Sequence, residues 1–319
     1  MNDTLLVTLM AAGILYGTPL VLAGIGELFA ERSGVMNLGV EAMMLMGAAT
    51  AFWTSQSFDG PGWIALTVSL AVAAATGTVL AAIYAFTVVT LRASQIVAGL
   101  ALLILGGAAG LSSYIASIGD LARDTGKHRL PDYDPFGFAD LPVIGPLLFD
   151  QNALVYGSWV LVVLASLYLY RTRPGLHLRA VGEDPKSADA MGVNVVTYRY
   201  AHTMLGGAMA GIAGAYYTLA IAPNWVDNIT AGAGWIAIAL VITSFWRPGL
   251  LLVGAYLFGI VTSLGFTLQT RGVDLPSQIF SAMPYLLTIV AVVLVSSGWG
   301  RGRLHPPAAL GEPYSREDA

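Results

Sequence analysis

The chain has 319 residues, of which 56% are hydrophobic and 11% charged, with a net charge of −4. A soluble domain carries about 25% charged residues, so a water-soluble globule of this length is excluded and lipid must solvate much of the surface. The absence of Cys removes disulfides, thiolate nucleophiles and cysteine metal sites, and the lack of a basic tract speaks against nucleic acid as a partner.

No Lys or Arg precedes Arg32, so the first apolar run reads as a permanent span rather than a cleaved signal. A crossing helix needs roughly 20 apolar residues. Runs of that kind fall near 4–26, 35–56, 62–91, 94–118, 152–170, 197–222, 231–246, 248–270 and 277–297. The fold class is therefore an all-α polytopic transmembrane helix bundle with nine spans counted and a range of eight to ten. The 231–246 run is short, and only Arg247-Pro248-Gly249 parts it from the next, which suits either a tight hairpin or a broken helix.

Basic residues orient the bundle. With the segment after the fifth run inside, one side carries Arg32, Arg92, Arg171, Arg173, Arg179, Lys186, Arg199, Arg247, Arg301, Arg303 and Arg316. The other carries only Arg123, Lys127, Arg129 and Arg271. This predicts an external N-terminus and a cytoplasmic C-terminus. Residues 1–300 are expected to form the transmembrane domain, and 301–319 a cytoplasmic tail whose Pro and charge content reads as a flexible end. The 119–151 segment, broken by Pro131, Pro135, Pro142 and Pro146, reads as an irregular external loop able to hold a short interfacial helix.

The internal segment 171–196 is the most informative. Its basic start, 171–179, suits the end of a helix leaving the membrane. Asp184 is a capping residue, Pro185 fits a first helical position, and Gly192 stops the run. The spacing predicts one two-turn helix that needs support from the bundle or a partner. A structural linker and a docking element both fit it.

In the segment GELFAERSGVMNLGVEAMMLMGA, 26–48, Asn37 and Glu41 stand four residues apart and are expected to share a helix face. An acid inside a span must face protein or water. Glu41 therefore either lines a solute path or gate, or fixes packing through Asn37, a backbone group or a neighbouring helix. The G-x-x-x-G pairs Gly13/Gly17, Gly106/Gly110 and Gly207/Gly211 suit close helix contacts. A short echo relates Gly106-Gly107-Ala108 to Gly206-Gly207-Ala208. Trp53, Phe58, Trp63, Tyr216, Tyr217, Trp225, Trp235, Phe245 and Trp246 gather near expected interfaces, as an aromatic belt does.

Neither Lys127 nor Lys186 belongs to a phosphate-binding loop. His128, His177, His202 and His305 are scattered without metal-ligand spacing. The chain is thus expected to have no catalytic site, no metal and no cofactor.

The two quoted segments, GELFAERSGVMNLGVEAMMLMGA and RPGLHLRAVGEDPKSADAMGVNV, resemble the permease subunits of ABC importers of the branched-chain amino acid, ribose and nucleoside group. The stretch from Glu31 to Glu41 is similar to the nucleoside or simple-sugar branch, which works with lipoprotein receptors of the basic membrane protein type. That resemblance implies an ATP-driven importer subunit, for nucleosides or alternatively for branched-chain amino acids or simple sugars. It implies a separate ABC ATPase, a second permease that is identical or homologous, and an extracytoplasmic lipoprotein that delivers a small polar solute. The family's coupling helix falls on Glu183, Asp184, Pro185, Lys186, Ser187, Ala188, Asp189, Ala190, Met191 and Gly192. Ala42 departs from the family, where Gly is frequent, and is expected to alter helix packing slightly. An ion-coupled secondary transporter and an intramembrane enzyme are the rivals from other classes; the second lacks a convergent catalytic cluster in the sequence.

Overall fold

The computed structural model describes residues 3–107, 110–122, 126–134, 137–271, 276–297 and 305–316. Twelve helices follow one another: α1 (Asp3–Arg32), α2 (Val40–Ser57), α3 (Gly62–Ala85), α4 (Gln95–Gly106), α5 (Leu111–Ile118), α6 (Ala153–Arg171), α7 (Arg173–Glu183), α8 (Pro185–Ala190), α9 (Val195–Tyr216), α10 (Ala233–Thr243), α11 (Pro248–Thr270) and α12 (Ser277–Ser296). Wider π turns, Phe86–Thr90 and Tyr217–Ile221, prolong α3 and α9. The only strands among the described residues, β1 (Asp132–Tyr133) and β2 (Gln151–Asn152), pair antiparallel in the 119–151 loop.

Among the described residues, seven helical segments are long and apolar enough to cross a membrane: Leu5–Arg32, Gly62–Thr90, Gln95–Ile118, Ala153–Arg171, Val195–Ile221, Pro248–Thr270 and Gln278–Val295. They account for seven of the nine apolar runs. The other two are different in kind. Helix α2 ends in the polar stretch Thr54-Ser55-Gln56-Ser57 and is buried along most of its length, among α3, α4, α5, α9 and α10. Helix α10 has 11 residues, a length of about 16 Å at 1.5 Å per residue against a hydrocarbon layer of about 30 Å. After α10 the chain reverses through Phe245 and Trp246, both left-handed (φ 55° and 54°), and Pro248 opens α11. The 231–246 run is therefore half of a tight hairpin.

The fourth run is broken. Helix α4 stops at Gly106, Gly107 is extended (ψ −169°), and α5 starts after Gly110. The Gly106/Gly110 pair thus brackets an interruption, whereas Gly206 and Gly207 lie inside the continuous α9. The echo between the two sites has no structural counterpart in those glycines.

The other two G-x-x-x-G pairs are contact points. A Cβ at Gly211 would fall on the carbonyl of Ala73 in α3, one at Gly47 on the carbonyl of Gly211, and one at Gly77 on the carbonyl of Gly207. Gly13 and Gly17 meet α11 in the same way, at Ile260 and Tyr256. Small residues let backbones approach, and in lipid that approach supplies the dispersion energy that holds helices together. Helix α9 is the hub, packed on α1, α2 and α3. Ala42, fully buried, meets Gly106 across the α2–α4 contact: a Cβ at Gly106 would lie 3.1 Å from its methyl.

The 119–151 loop is irregular, as expected, and includes a helical turn at Gly145–Phe149. It is tied to the bundle: Lys127 donates from its backbone to Gln56 Oε1 (3.1 Å), and Leu130 N donates to the carbonyl of Leu219 (2.8 Å).

Substituting Gly211 by Leu is expected to lower stability by about 1–3 kcal/mol or more through overpacking, read as a fall in the melting temperature of the detergent-purified protein. Gly157 in α6 faces open space. Gly157→Ala is expected to leave that temperature unchanged or to raise it slightly.

Candidate functional site

The signature segment 26–48 folds around α10. Glu41 in the first turn of α2 is 3% exposed. Its Oε1 accepts from Thr230 Oγ1 (2.5 Å) and Gly232 N (2.9 Å), and its Oε2 accepts from Gly234 N (2.6 Å). A helix start leaves four N–H groups unpaired and carries partial positive charge. Helix α10 begins at the left-handed Gly232 (φ 80°), which has no side chain to cap it. A carboxylate from another helix does the capping.

The other end of α10 is held by α1. Trp246, 2% exposed, donates its indole N–H to Glu31 Oε2 (2.5 Å), and Arg32 Nη2 donates to the Trp246 carbonyl (3.3 Å). Glu27 Oε1 accepts from Asn37 N (2.8 Å) and so fixes the turn between α1 and α2. Asn37 Oδ1 accepts from Gly39 N (3.1 Å), Met36 N donates to Gln95 Oε1 (2.7 Å), and Tyr84 OH donates to the Met36 carbonyl (2.5 Å). Glu27 Oε2 and Glu31 Oε1 are buried without a hydrogen-bond partner.

This corrects the expectation for Asn37 and Glu41. Helix α2 starts at Val40, so Asn37 precedes it, and the two side chains do not share a helix face. Each holds backbone instead. Thr230, which Glu41 holds, lines a cavity beside the start of α10.

The internal segment contains two helices where the spacing predicts one. Thr172 ends α6 and at once caps α7, its Oγ1 accepting from Gly175 N (3.1 Å), with Pro174 in the first turn. The basic stretch 171–179 thus opens a second helix rather than ending the span. Helix α8 forms as expected. Asp184 accepts from Lys186 N and Ser187 N (3.1 Å each) and from the Ser187 hydroxyl, which with the Ser187 amide holds its carboxyl below the usual range. Gly192 (φ 86°) closes it.

Ala188, 5% exposed, anchors α8 against Val181 and Val195, while Glu183, Asp184, Lys186, Ser187, Ala190, Met191 and Gly192 are exposed; Pro185 and Asp189 are half-buried. A six-residue helix cannot hold itself in water; here the buried Ala188 seats it on the bundle while most of its other side chains stay exposed.

The tail departs from the flexible end read from its composition. Residues 301–304 and 317–319 lie outside the described residues, but 305–316 pack along the protein. Ala309 N donates to the Gly182 carbonyl (2.9 Å) and Gly311 N to that of Gly34 (3.1 Å). Arg199, 1% exposed, donates from Nη1 to the Glu312 carbonyl (2.9 Å). Arg316 pairs with Asp189 at 3.0 Å, and Tyr314 packs on the Val181–Ala188–Val195 cluster. Backbone hydrogen bonds and one buried guanidinium anchor a segment whose few apolar side chains gave no signal. The tail straps together the signature turn, α7, α8 and α9.

Among the described residues no group of three or more His, Asp or Glu could hold a metal ion.

Comparisons with known proteins agree with this architecture. The sequence model of the family described as "Branched-chain amino acid transport system / permease component" matches residues 9–292. A putative glucose ABC transporter permease of Haloferax volcanii is 37% identical, covering 97% of this chain and 98% of its own. A guanosine ABC transporter permease of Bacillus subtilis is 34% identical over 96% of each chain. A nucleoside ABC transporter permease of Lactococcus lactis subsp. cremoris is 33% identical over 90% of this chain and 91% of its own. With seven membrane-length apolar segments and this match over most of its length, the chain is a multi-pass protein of the cell (inner) membrane and belongs to the branched-chain amino acid transport system / permease component family of ABC transporter permeases.

Proposed function

We propose that this chain is the path-forming permease subunit of an ATP-driven importer of nucleosides. The observation that carries the substrate class is the near full-length match to the guanosine and nucleoside permeases. Simple sugars are the second reading, favoured by the glucose-permease relative at 37% identity. A branched-chain amino acid permease from Methanocaldococcus jannaschii matches over only 47% of this chain, which favours that substrate less.

In this reading residues 1–300 are the permease domain, the N-terminus and the 119–151 loop lie outside, and the 171–196 segment and the tail lie in the cytoplasm. The chain has no phosphate-binding loop of its own, and ATP hydrolysis belongs to a partner ABC ATPase. A second permease subunit completes the path, and a solute-binding lipoprotein feeds it from outside. The ATPase docks on the exposed face of α8. Closure of the ATPase then moves α8 and the strapped elements beside it, switching the path between outward-open and inward-open states. What supports docking there is a small helix seated through Ala188 and the tail, with Lys186, Ser187, Ala190 and Met191 left exposed.

Two outcomes test the coupling. Ala190 is on the exposed face of α8, so Ala190→Arg is expected to leave insertion and melting temperature intact while abolishing ATP-dependent guanosine uptake by the reconstituted complex. Normal uptake would refute docking at α8. Deleting residues 305–319 is expected to reduce uptake roughly five- to a hundredfold, the span of common coupling energies, with the ATPase still bound on co-purification.

A further inference from the structure

A cavity of about 300 Å³ opens between α1, the end of α9, the start of α10, α11 and α12. Its walls carry the rings of Tyr16, Tyr217, Phe266 and Tyr285, and Thr230 and Gln269 add polar groups. Tyr16 and Phe266 stand 5.4 Å apart, centroid to centroid, with their planes inclined at 30°. Gln269 is next to the end of α11 and Ile221 closes the turn after α9. With the N-terminus outside, the cavity therefore occupies the outer half of the bundle. Its size is at the lower end for small-molecule sites, which are mostly apolar with a few placed polar groups. A lipid chain would have no use for the phenol and amide groups.

The floor is the turn before α10. Asn228 (φ 60°), Ala231 (φ 44°) and Gly232 (φ 80°) are left-handed, a conformation sparsely populated by residues with a Cβ. Two groups pin it. Glu41 holds Thr230, Gly232 and Gly234 from behind. Tyr285, a cavity wall residue, donates its hydroxyl to the Ala231 carbonyl.

We propose that this cavity is a waypoint for the transported nucleoside, whose flat base lies against the tyrosine and phenylalanine rings, and that the turn 228–232 is the gate beneath it. Tyr285 is the link, because it touches the solute and holds the gate shut. Glu41 is a positioning residue. The proposal rests on the nucleoside-importer reading and adds a location and a gate to it.

The test uses the full-length chain with its ATPase and receptor in proteoliposomes, with tritiated guanosine for uptake and 8-azidoguanosine for photolabelling. Labelling is expected on α11 and α12 peptides and competed by guanosine. Phe266→Leu, at a half-exposed ring, is expected to raise KM about tenfold with kcat and melting temperature unchanged, stacking on one aromatic being worth about 1–3 kcal/mol per base. Tyr285→Phe keeps the ring and frees Ala231; it should change kcat and leave KM alone. Wild-type KM in Phe266→Leu, or label that lipid displaces and guanosine does not, would overturn the cavity while leaving the importer reading intact. Failure of the wild-type complex to import guanosine would overturn the nucleoside reading and the ligand class assigned here together.

Discussion

A helix half the thickness of a bilayer leaves both of its ends among other helices, where no water meets its unpaired backbone groups. In this protein the carboxylate of Glu41 takes up the amides at the start of α10, and Glu31 and Arg32 take hold of Trp246 at its end. Irregular backbone is tolerated at membrane depth only where protein or a wet cavity satisfies it. The three left-handed residues before α10, and the two after it, depend on that satisfaction. Remove the carboxylate, and the amides of Gly232 and Gly234 lose the acceptor they have here, at roughly 1–3 kcal/mol each if left unpaired.

The clamp works because the helices that supply it cannot drift. Helices α1, α2 and α3 all rest on α9 through glycines whose hydrogens touch a neighbouring backbone. That leaves little slack between Glu41 on α2 and the turn it holds. The proposed gate is therefore a strained turn set in a rigid frame, and Glu27, Glu31 and Glu41 hold parts of that frame through their carboxylates.

Much of this was legible in the sequence, by way of hydrophobic length. Each apolar run became helical, the fourth as the two pieces α4 and α5, and the shortness of 231–246 marks α10 as unlike the others. Asp184, Pro185 and Gly192 delimited α8 because caps act locally. What failed to show depended on distant partners. Asn37 and Glu41 sit four apart, but whether α2 begins before or after Asn37 is decided by Glu27 and Gln95 holding the intervening turn. Thr172 could have signalled α7, since a capping residue followed by Pro174 is a start signal; the basic residues masked it. The tail gave no hint, because several of its anchors are main-chain groups and the partners of Tyr314 and Arg316 lie far off in the chain. Arg199 read as one more cytoplasmic charge, although it is the buried post to which the tail is tied.

The strap bears on the order in which the molecule can assemble. Residues 305–316 follow all the described membrane-length helices in the chain, and until they are made, Gly34 and Gly182 keep their carbonyls open, Asp189 its charge, and Arg199 its guanidinium. A polypeptide stopped before residue 305 would have all the described membrane-length helices and still lack the brace between the turn after α1 and α8. The strap thus acts as a late lock on α8, closed only after the helices it joins are already in place.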